Sequence, residues 1–537
     1  MDFTACYADT VSNVAAAARA GSAGRLRALL GGGCPIDSRD NRGWTALHEA
    51  AAAGSSACVR QILAALHARS CKGVPALVNA QTHEGESACY LAAQRGHVGV
   101  VRLLLKAHAD VDQMTNDLSC PLYAAVDRGH ADVVDLLVSK GAEVNRTHTA
   151  SCWTCLHQAV YKGHGQIVSI LVKVCNLEVL DDHGISPLFV AAQYGQRESL
   201  EALIHAGADV NSPAADLATP LLIASQEGHT ACVDLLLDHG ADPNRACSNE
   251  WPQLPIHAAA EFGHTGILRR LLDVTDSACG RTDGMVSPLY VAVNRGQPQS
   301  VAMLLNAGYS PDAQDCTCSL GLRSPLTVAL SRASSESHRE CVGLLVAAGA
   351  ALEEQDWTQV FVSDSPQLLQ LILQHQRFPR HESPTAACSG RRTLTLQELR
   401  RMLSAARSCS GSACLWLPVL LSSGLEPSFL LHPRLFQEAD SEVLNHLLEF
   451  VNWATLPPPV RLILDQRRAG RSWEPRAHFH SLPPLSHICR LRIREVLGPD
   501  LLMRSGAVQQ LPVPPLLHDF LQFRDIPEAL HRPPLPS

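Results

Sequence analysis

Small apolar residues and longer hydrophobic runs follow one another along most of the chain in a repeating order. Short alanine runs, as at residues 50–51 and 191–192, are followed by a glycine and later by an apolar run, as at residues 101–105 and 233–237. Because glycine readily adopts the left-handed conformation that ends helices, each unit predicts two short helices with a turn between them. One such unit cannot bury its apolar face alone, so the units must stack to form a core.

A tetrapeptide at the start of the first helix marks the length of this unit. Six copies carry proline in the second place, where a helix can begin without losing a hydrogen bond. A period of about 33 residues with a Thr-Pro-Leu-His-like core resembles the ankyrin repeat. The third residue of the tetrapeptide stands at positions 47, 89, 122, 156, 188, 221, 256, 289 and 326.

The spacing of the repeat also divides the chain. We expect an all-α fold with short β-hairpin fingers, in which an ankyrin-repeat solenoid is followed by irregular helices and a C-terminal helical box. A loop inserted at 67–77 and a longer finger at 316–323 interrupt the regular spacing. The predicted divisions are an array of about ten to eleven repeats with a degenerate last one at 1–376, a linker at 377–393, an irregular helical region at 394–481, the C-terminal box at 482–525 and a tail at 526–537.

Composition and charge narrow the class of protein. Of 537 residues, 46% are hydrophobic, and the formal net charge is −8, which excludes wholesale disorder and argues against a nucleic-acid binder that neutralises phosphates. The 19 cysteines are scattered and no signal peptide is evident. We therefore expect reduced thiols in a cytoplasmic protein, with access to the nucleus left open. The longest apolar stretch near the C-terminus, 414–421, is too short to cross a bilayer, so we expect a soluble protein without membrane insertion.

The C-terminal segment carries the most specific pattern. Leu485, Cys489 and Ile493 follow one another at intervals of four residues and would form one stripe on a helix. A Leu-Pro-Val-Pro motif and a second amphipathic helix at 516–521 come next. This order resembles the SOCS box, in which a leucine–cysteine–aliphatic stripe binds Elongin C and a Leu-Pro-hydrophobic-Pro motif binds a cullin. The residues that would contact the cullin are Leu511, Pro512, Val513 and Pro514.

Ankyrin-like repeats followed by this box identify the chain as a member of the ankyrin repeat and SOCS box protein family. Segments 1–4, 40–44, 187–195 and 255–263 are most similar to one numbered member. The resemblance implies a non-catalytic substrate-recognition subunit of a cullin–RING ubiquitin ligase. The repeats would bind a target protein that the sequence does not identify. The box would dock on Elongin B/C and on the fifth cullin with its RING protein, leading to ubiquitination and proteasomal degradation of the target.

Two other classes of function compete with this one. A plain ankyrin scaffold would sequester a partner without ubiquitination, and Leu485 and Ile493 would then be core residues. An enzyme would need a nucleophile–base pair, a phosphate-binding loop or a metal site. Cys152, Cys155 and His157 imitate part of a zinc site, but Cys155 occupies the place of the repeat proline and no second Cys-X-X-Cys follows. We therefore expect no catalytic residue, no metal and no cofactor.

Two tryptophans are candidates for contact with the target. Trp44 and Trp153 occupy the same place, just before the first helix of their repeats. Aromatic side chains dominate many protein interfaces, but a tryptophan in this place can also pack against the neighbouring hairpins. Both interpretations stay open at this point.

Three asparagines stand in matching places after the second helices. Asn145, Asn211 and Asn244 each lie eight residues after a leucine and close to an acidic residue. The pattern is similar to sites of the asparaginyl hydroxylase that modifies ankyrin repeats. A role in forming the turn explains the same residues at least as well.

Lysine is confined to the early repeats. The chain has five, Lys72, Lys106, Lys140, Lys162 and Lys173. Ubiquitin is normally passed to a lysine amine, and arginine cannot replace lysine as that nucleophile. A ligase receptor of this composition would offer few sites for self-ubiquitination near its C-terminal box. A general bias toward arginine explains the same distribution.

Overall fold

The chain folds as two units, Met1–Ser277 and Ala278–Ser537, which are described separately. The structure is a computed structural model. It describes residues 11–69, 74–148, 151–247, 253–276, 286–312, 324–363, 366–378, 392–497 and 515–522. Across these ranges no helix has both the length and the apolar character that a membrane crossing requires.

The first unit is a stack of helix pairs, which confirms the predicted ankyrin-repeat solenoid. Each first helix packs against the first helices of the adjacent pairs, and the second helices form a parallel row of their own. The first helices are α1 (Asn13–Arg19), α3 (Ala46–Ala52), α6 (Ala88–Gln94), α8 (Pro121–Asp127), α10 (Cys155–Tyr161), α12 (Pro187–Gln193), α14 (Pro220–Glu227) and α16 (Pro255–Phe262). The second helices are α2 (Ala23–Gly31), α4 (Ser56–Arg69), α7 (Val98–Lys106), α9 (Ala131–Ser139), α11 (Gly165–Leu171), α13 (Arg197–His205), α15 (Thr230–Asp238) and α17 (Thr265–Leu272).

Most first helices begin at the tetrapeptide because a Ser, Thr or Cys at its first place caps them. The Ser87 hydroxyl accepts a hydrogen bond from the Tyr90 backbone N–H at 3.1 Å, as expected of a serine N-cap. His48 caps its own helix and also bonds to the next repeat. Its Nδ1 accepts from the Thr45 backbone N–H at 3.1 Å, and its Nε2 lies 3.0 Å from the Ala80 carbonyl oxygen. Burial lowers the pKa of His48 to about 4, so the ring is neutral at physiological pH and bridges two repeats.

Glycines at the ends of first helices let the next repeat approach closely. Gly96 has a φ of +76°, and a β-carbon there would lie 2.6 Å from Nδ1 of His130. Nε2 of His130 in turn lies 3.1 Å from the Gln94 carbonyl oxygen. Each such ring therefore covers the exposed end of the preceding helix. The same arrangement recurs at Gly54 with His97, at Gly195 with His229 and at Gly228 with His264.

The segment predicted as an inserted loop at 67–77 is partly helical in the structure. Instead of a loop, α4 runs on to Arg69, and a short helix α5 (Val74–Val78) follows. Leu66 and Val78 are buried, so apolar contacts extend helical structure to both sides of residues 70–73. The longer finger predicted at 316–323 lies outside the described residues.

The second unit continues the pairing of helices and then departs from it. The predicted degenerate repeat corresponds to α22 and α23, and α24 and α25 pack on this pair in turn. The ends of the predicted linker form a two-residue parallel ladder between β1 and β2. The elements are α18 (Pro288–Arg295), α19 (Pro298–Asn306), α20 (Pro325–Ser331), α21 (Glu336–Ala347), α22 (Glu354–Val362), α23 (Pro366–His375), β1 (Gln376–Arg377), β2 (Arg392–Thr393), α24 (Leu396–Ser408), α25 (Ala413–Ser422), α26 (Pro433–Glu438), α27 (Ser441–Leu448), α28 (Pro458–Ala469), α29 (Leu485–Leu497) and α30 (Pro515–Leu521).

Candidate protein-binding site in the C-terminal box

Helix α29 turns its apolar side chains toward solvent. Leu485 is 75% exposed and Val496 is 71% exposed, and Ile493 between them is 38% exposed. Cys489, which lies on the same face, is exposed as well. The three residues of the predicted stripe therefore share one accessible surface.

The opposite face of α29 is buried although it is polar and cationic. His487, Arg490 and Arg494 are each less than one tenth exposed. Their spacing of three and four residues places them on one side of the helix. An ordinary amphipathic helix buries its apolar face and exposes its charges. Helix α29 does the reverse.

Arg494 explains how a cation can be accommodated on the buried side. Its guanidinium donates to the Leu421 carbonyl oxygen at 3.1 Å and lies 5.4 Å from the centre of the Phe450 ring. A carbonyl at a helix C-terminus and an aromatic face both attract a cation. Burial lowers the pKa of Arg494 to about 10, which still leaves it charged at physiological pH.

His487 and Arg490 attach the start of α29 to its surroundings. Nε2 of His487 lies 3.1 Å from the Val451 carbonyl oxygen, and burial lowers the pKa of this ring. The Arg490 guanidinium lies 4.2 Å from the centre of the Phe520 ring and donates to the Phe520 carbonyl oxygen at 3.3 Å. Helix α30 is thereby held against α29. These contacts fix which face of α29 remains outside.

An exposed leucine–cysteine–isoleucine stripe is suited to binding another protein. Exposed apolar surface of this kind typically marks an interaction site, and the small Cys489 side chain permits close approach between two bulkier ones. Leu511, Pro512, Val513 and Pro514, the candidates for cullin contact, lie outside the described residues. Among the side chains that the structure describes, no three His, Cys, Asp or Glu residues are grouped so as to hold a metal ion.

Trp44 and Trp153 are both half-buried and engaged within the repeats. The Arg42 guanidinium lies 4.3 Å from the centre of the Trp44 ring, and this tryptophan packs against the core that contains Tyr90. Nε1 of Trp153 donates to the Asp181 carboxylate at 3.1 Å. These contacts favour the packing interpretation for both residues and leave target contact as a prediction.

The three candidate asparagines tie neighbouring repeats together. The Asn145 side-chain oxygen accepts from the Asn176 backbone N–H at 2.8 Å. Asn211 accepts from Asp242 at 2.8 Å, and Asn244 accepts from Asp276 at 3.0 Å, in the same manner. This bonding supports the turn-forming role, and hydroxylation stays a prediction.

Sequence reasoning missed a set of exposed apolar residues in the repeats. Tyr161 and Tyr194 are exposed at the ends of their first helices, and Leu118 and Leu217 are exposed in turns. The sequence could have indicated the two leucines, because three other repeats carry glycine in the same place of the turn.

Comparison with known proteins bears on both parts of the chain. Family models described as "Ankyrin repeats" match residues 63–148, 146–214 and 221–315, a single "Ankyrin repeat" model matches 42–71, and a "SOCS box" model matches 481–522. The chain is 40% identical over 532 residues to Ankyrin repeat and SOCS box protein 3 of Bos taurus, covering 98% of this chain and 96% of that protein. It is 38% identical to the Homo sapiens protein of the same name over 534 residues, covering 98% and 97%. The resemblance to one numbered member is thereby confirmed.

Among solved structures, the human ASB11 ankyrin repeat domain matches with 29% identity and a TM-score of 0.36, over 42% of this chain and 96% of that one.

Proposed function

The chain belongs to the ankyrin repeat and SOCS box protein family, and we propose that it is the substrate-recognition subunit of a cullin–RING ubiquitin ligase. In this role it catalyses nothing itself. The repeats hold a target protein, and the C-terminal box brings that target to the ubiquitin-transferring machinery. Ubiquitination and proteasomal degradation of the target follow.

One observation carries the proposal: helix α29 buries its cations and exposes its apolar stripe. If Leu485 and Ile493 were core residues, as a plain scaffold would require, the helix would be turned the other way. We assign Leu485, Cys489 and Ile493 to a hydrophobic groove of Elongin C, in the helix-in-groove mode. Elongin B would accompany Elongin C.

The cullin contact is assigned from the sequence. Leu511, Pro512, Val513 and Pro514 form the Leu-Pro-Val-Pro motif that favours the fifth cullin with its RING protein. The motif directly precedes α30, and α30 packs on α29. The Elongin and cullin contacts are therefore proposed as neighbouring but separate surfaces.

The decisive test is co-purification of Elongin B/C with a variant of the stripe. Leu485→Pro combined with Cys489→Phe removes the leading leucine and blocks the close approach. Proline is tolerated at the first residue of a helix, and Leu485 holds that place. Loss of a hot-spot side chain costs at least about 2 kcal/mol of binding free energy, so we expect Elongin B/C to be lost while the circular dichroism of the chain is unchanged.

Two further variants make the test specific. Glu495→Ala changes an exposed residue of the same helix that lies off the stripe and should leave Elongin binding intact. Leu511→Ala combined with Pro512→Ala should weaken cullin binding only. Undiminished Elongin B/C on the stripe variant would instead favour a scaffold that sequesters its partner without ubiquitination.

A further inference from the structure

Two tight turns of the ankyrin array hold leucine where a leucine is conformationally unfavourable. In the turns before α3, α6, α8, α10, α12 and α14, the residue two positions ahead of the tetrapeptide lies in the left-handed region, and Cys152 holds this place before α10 with a φ of +59°. Gly43, Gly85 and Gly184 hold this place with φ between +72° and +82°. Leu118 and Leu217 hold it with φ of +65°. A side chain at such a position costs conformational free energy that glycine avoids.

The leucine turns have the same backbone bonding as the glycine turns. The backbone N–H of Leu118 donates to the Thr115 carbonyl at 3.1 Å, and that of Leu217 donates to the Ala214 carbonyl at 2.9 Å. Gly184 donates to the Asp181 carbonyl at 3.1 Å in the same way. Leucine therefore leaves the shape of the turn unchanged and adds a side chain at a position where any side chain strains the backbone.

Neither leucine compensates for this cost by filling the core. Leu118 is 52% exposed and Leu217 is 39% exposed. A residue that is held in an unfavourable backbone conformation without burying its side chain is a candidate for a functional role rather than a structural one. A side chain presented to a partner is such a role.

Exposed aromatic rings lie on the repeats between the two leucines. Trp153 contacts Tyr161, with ring centres 5.5 Å apart, and Tyr161 contacts Tyr194 at 4.9 Å. Both tyrosines are more than one third exposed. Leu118, Tyr161, Tyr194 and Leu217 thus occur on successive repeats, and we name these four residues the finger surface.

Most turns that border the finger surface are acidic. The turn of the Tyr161 repeat, 148–152, contains no carboxylate, and Lys162 beside Tyr161 pairs with Asp127. Exposed carboxylates stand at Glu84, Asp117, Asp182 and Asp216. The turns at 82–86, 115–119, 181–185 and 214–218 contain no lysine or arginine. Burial raises the pKa of Glu86, and the charges of Glu84 and Asp117 raise it further. A cation placed there would relieve this repulsion, whereas a nucleic acid or an anionic membrane would add to it.

We infer that the finger surface binds a basic segment of a target protein, one in which aliphatic or aromatic side chains alternate with lysine or arginine. The apolar side chains of that segment contact the leucines and tyrosines, and its cations face the carboxylates of the turns. This assignment rests on the proposed role of the repeats in holding a target.

Selection from a displayed library of short random peptides on the purified full-length chain tests this. We expect the enriched peptides to carry net positive charge and apolar residues. Leu118→Gly combined with Leu217→Gly should raise the Kd of a selected peptide about tenfold, the size expected when apolar anchors are removed. The same variant should unfold at an equal or higher temperature, because glycine relieves the strained turns.

Control variants separate contact from structure. Leu118→Met with Leu217→Met keeps an apolar side chain and should retain peptide binding. Asp117→Asn with Asp216→Asn should weaken binding and reduce its dependence on salt. Leu462→Ala changes a leucine that is 60% exposed in the other unit and should have no effect on Kd.

The inference is overturned if no peptide is enriched, if uncharged or acidic peptides are enriched, or if the glycine variant binds as well as the unaltered chain. A lower unfolding temperature of the glycine variant would also overturn it, since the leucines would then be structural. The Leu485→Pro, Cys489→Phe variant should bind the peptides normally. Failure of the Elongin assignment is therefore distinguishable from failure of the finger surface.

Discussion

Single residues carry the coupling between repeats in this protein. Gly96 is the clearest case, because its left-handed backbone and its missing β-carbon are both needed where His130 covers the end of α6. The sequence predicts a glycine that ends the helix. It does not predict the second requirement, because the ring that makes the contact comes from the next repeat.

Substitution of Gly96 separates these two requirements. Gly96→Ala should lower the free energy of unfolding by about 1 kcal/mol for the left-handed backbone and by about 1–3 kcal/mol more for the clash with the ring. Gly141→Ala is the matched control, since Gly141 has a φ of +86° and nothing lies within 4 Å of a β-carbon there. Urea denaturation of both variants measures the difference. Equal losses of unfolding free energy in the two variants would mean that the His130 ring moves aside at no energetic cost.

Helix α29 illustrates what periodicity predicts at the scale of an element and what it leaves undecided. The four-residue spacing of Leu485, Cys489 and Ile493 predicts one stripe, but an apolar stripe ordinarily faces a core. The stripe faces outward here because Arg490 and Arg494 have aromatic faces and backbone carbonyls to bind on the other side. Those partners come from distant parts of the sequence, and no local pattern reveals them.

Arg494 is therefore expected to matter for stability and Arg492 is not. Arg494→Ala deletes a buried cation and its bond to the Leu421 carbonyl, a loss of about 1.5–3 kcal/mol for a hydrogen bond to a charged group. Arg492→Ala removes only a surface ion pair with Glu495, and surface changes are usually within about 0.5 kcal/mol. Hydrogen exchange of the α29 amides should rise in the first variant only. Equal protection in both would contradict an anchoring role for Arg494.

At the scale of the whole molecule, the period of the repeat predicts the fold better than any single motif. Each tetrapeptide of the first unit that falls in the described residues stands at the start of a first helix. The helices after residue 394 follow no such period, and the sequence predicts them only as one irregular helical region. Phe361 of α22 packs against both Trp357 of the same helix and Trp416 of α25, and the sequence spaces these three residues irregularly.

The distribution of lysine is a second property of the whole chain, and the structure shows where it can be tested. Arg467 and Arg476 are unsuitable positions, because Arg467 donates to the Phe436 and Ala439 carbonyls and Arg476 pairs with Glu442 and Glu449. Arg461 and Arg468 are exposed. Lysine at either place would keep the charge and add a nucleophilic amine.

If scarcity of lysine protects a ligase receptor from its own ligase, Arg461→Lys with Arg468→Lys should shorten the half-life of the protein in cells. The shortening should require an intact stripe, so the added Leu485→Pro and Cys489→Phe changes should abolish it. Glutamine at the same two positions is the control, because glutamine cannot accept ubiquitin and should leave the half-life unchanged. Pulse–chase measurement of the three variants decides the matter. The half-life could instead stay unchanged when the lysines are added, or it could shorten even when the stripe is disrupted. Either result would leave a general bias toward arginine as the explanation for a chain whose last lysine is Lys173.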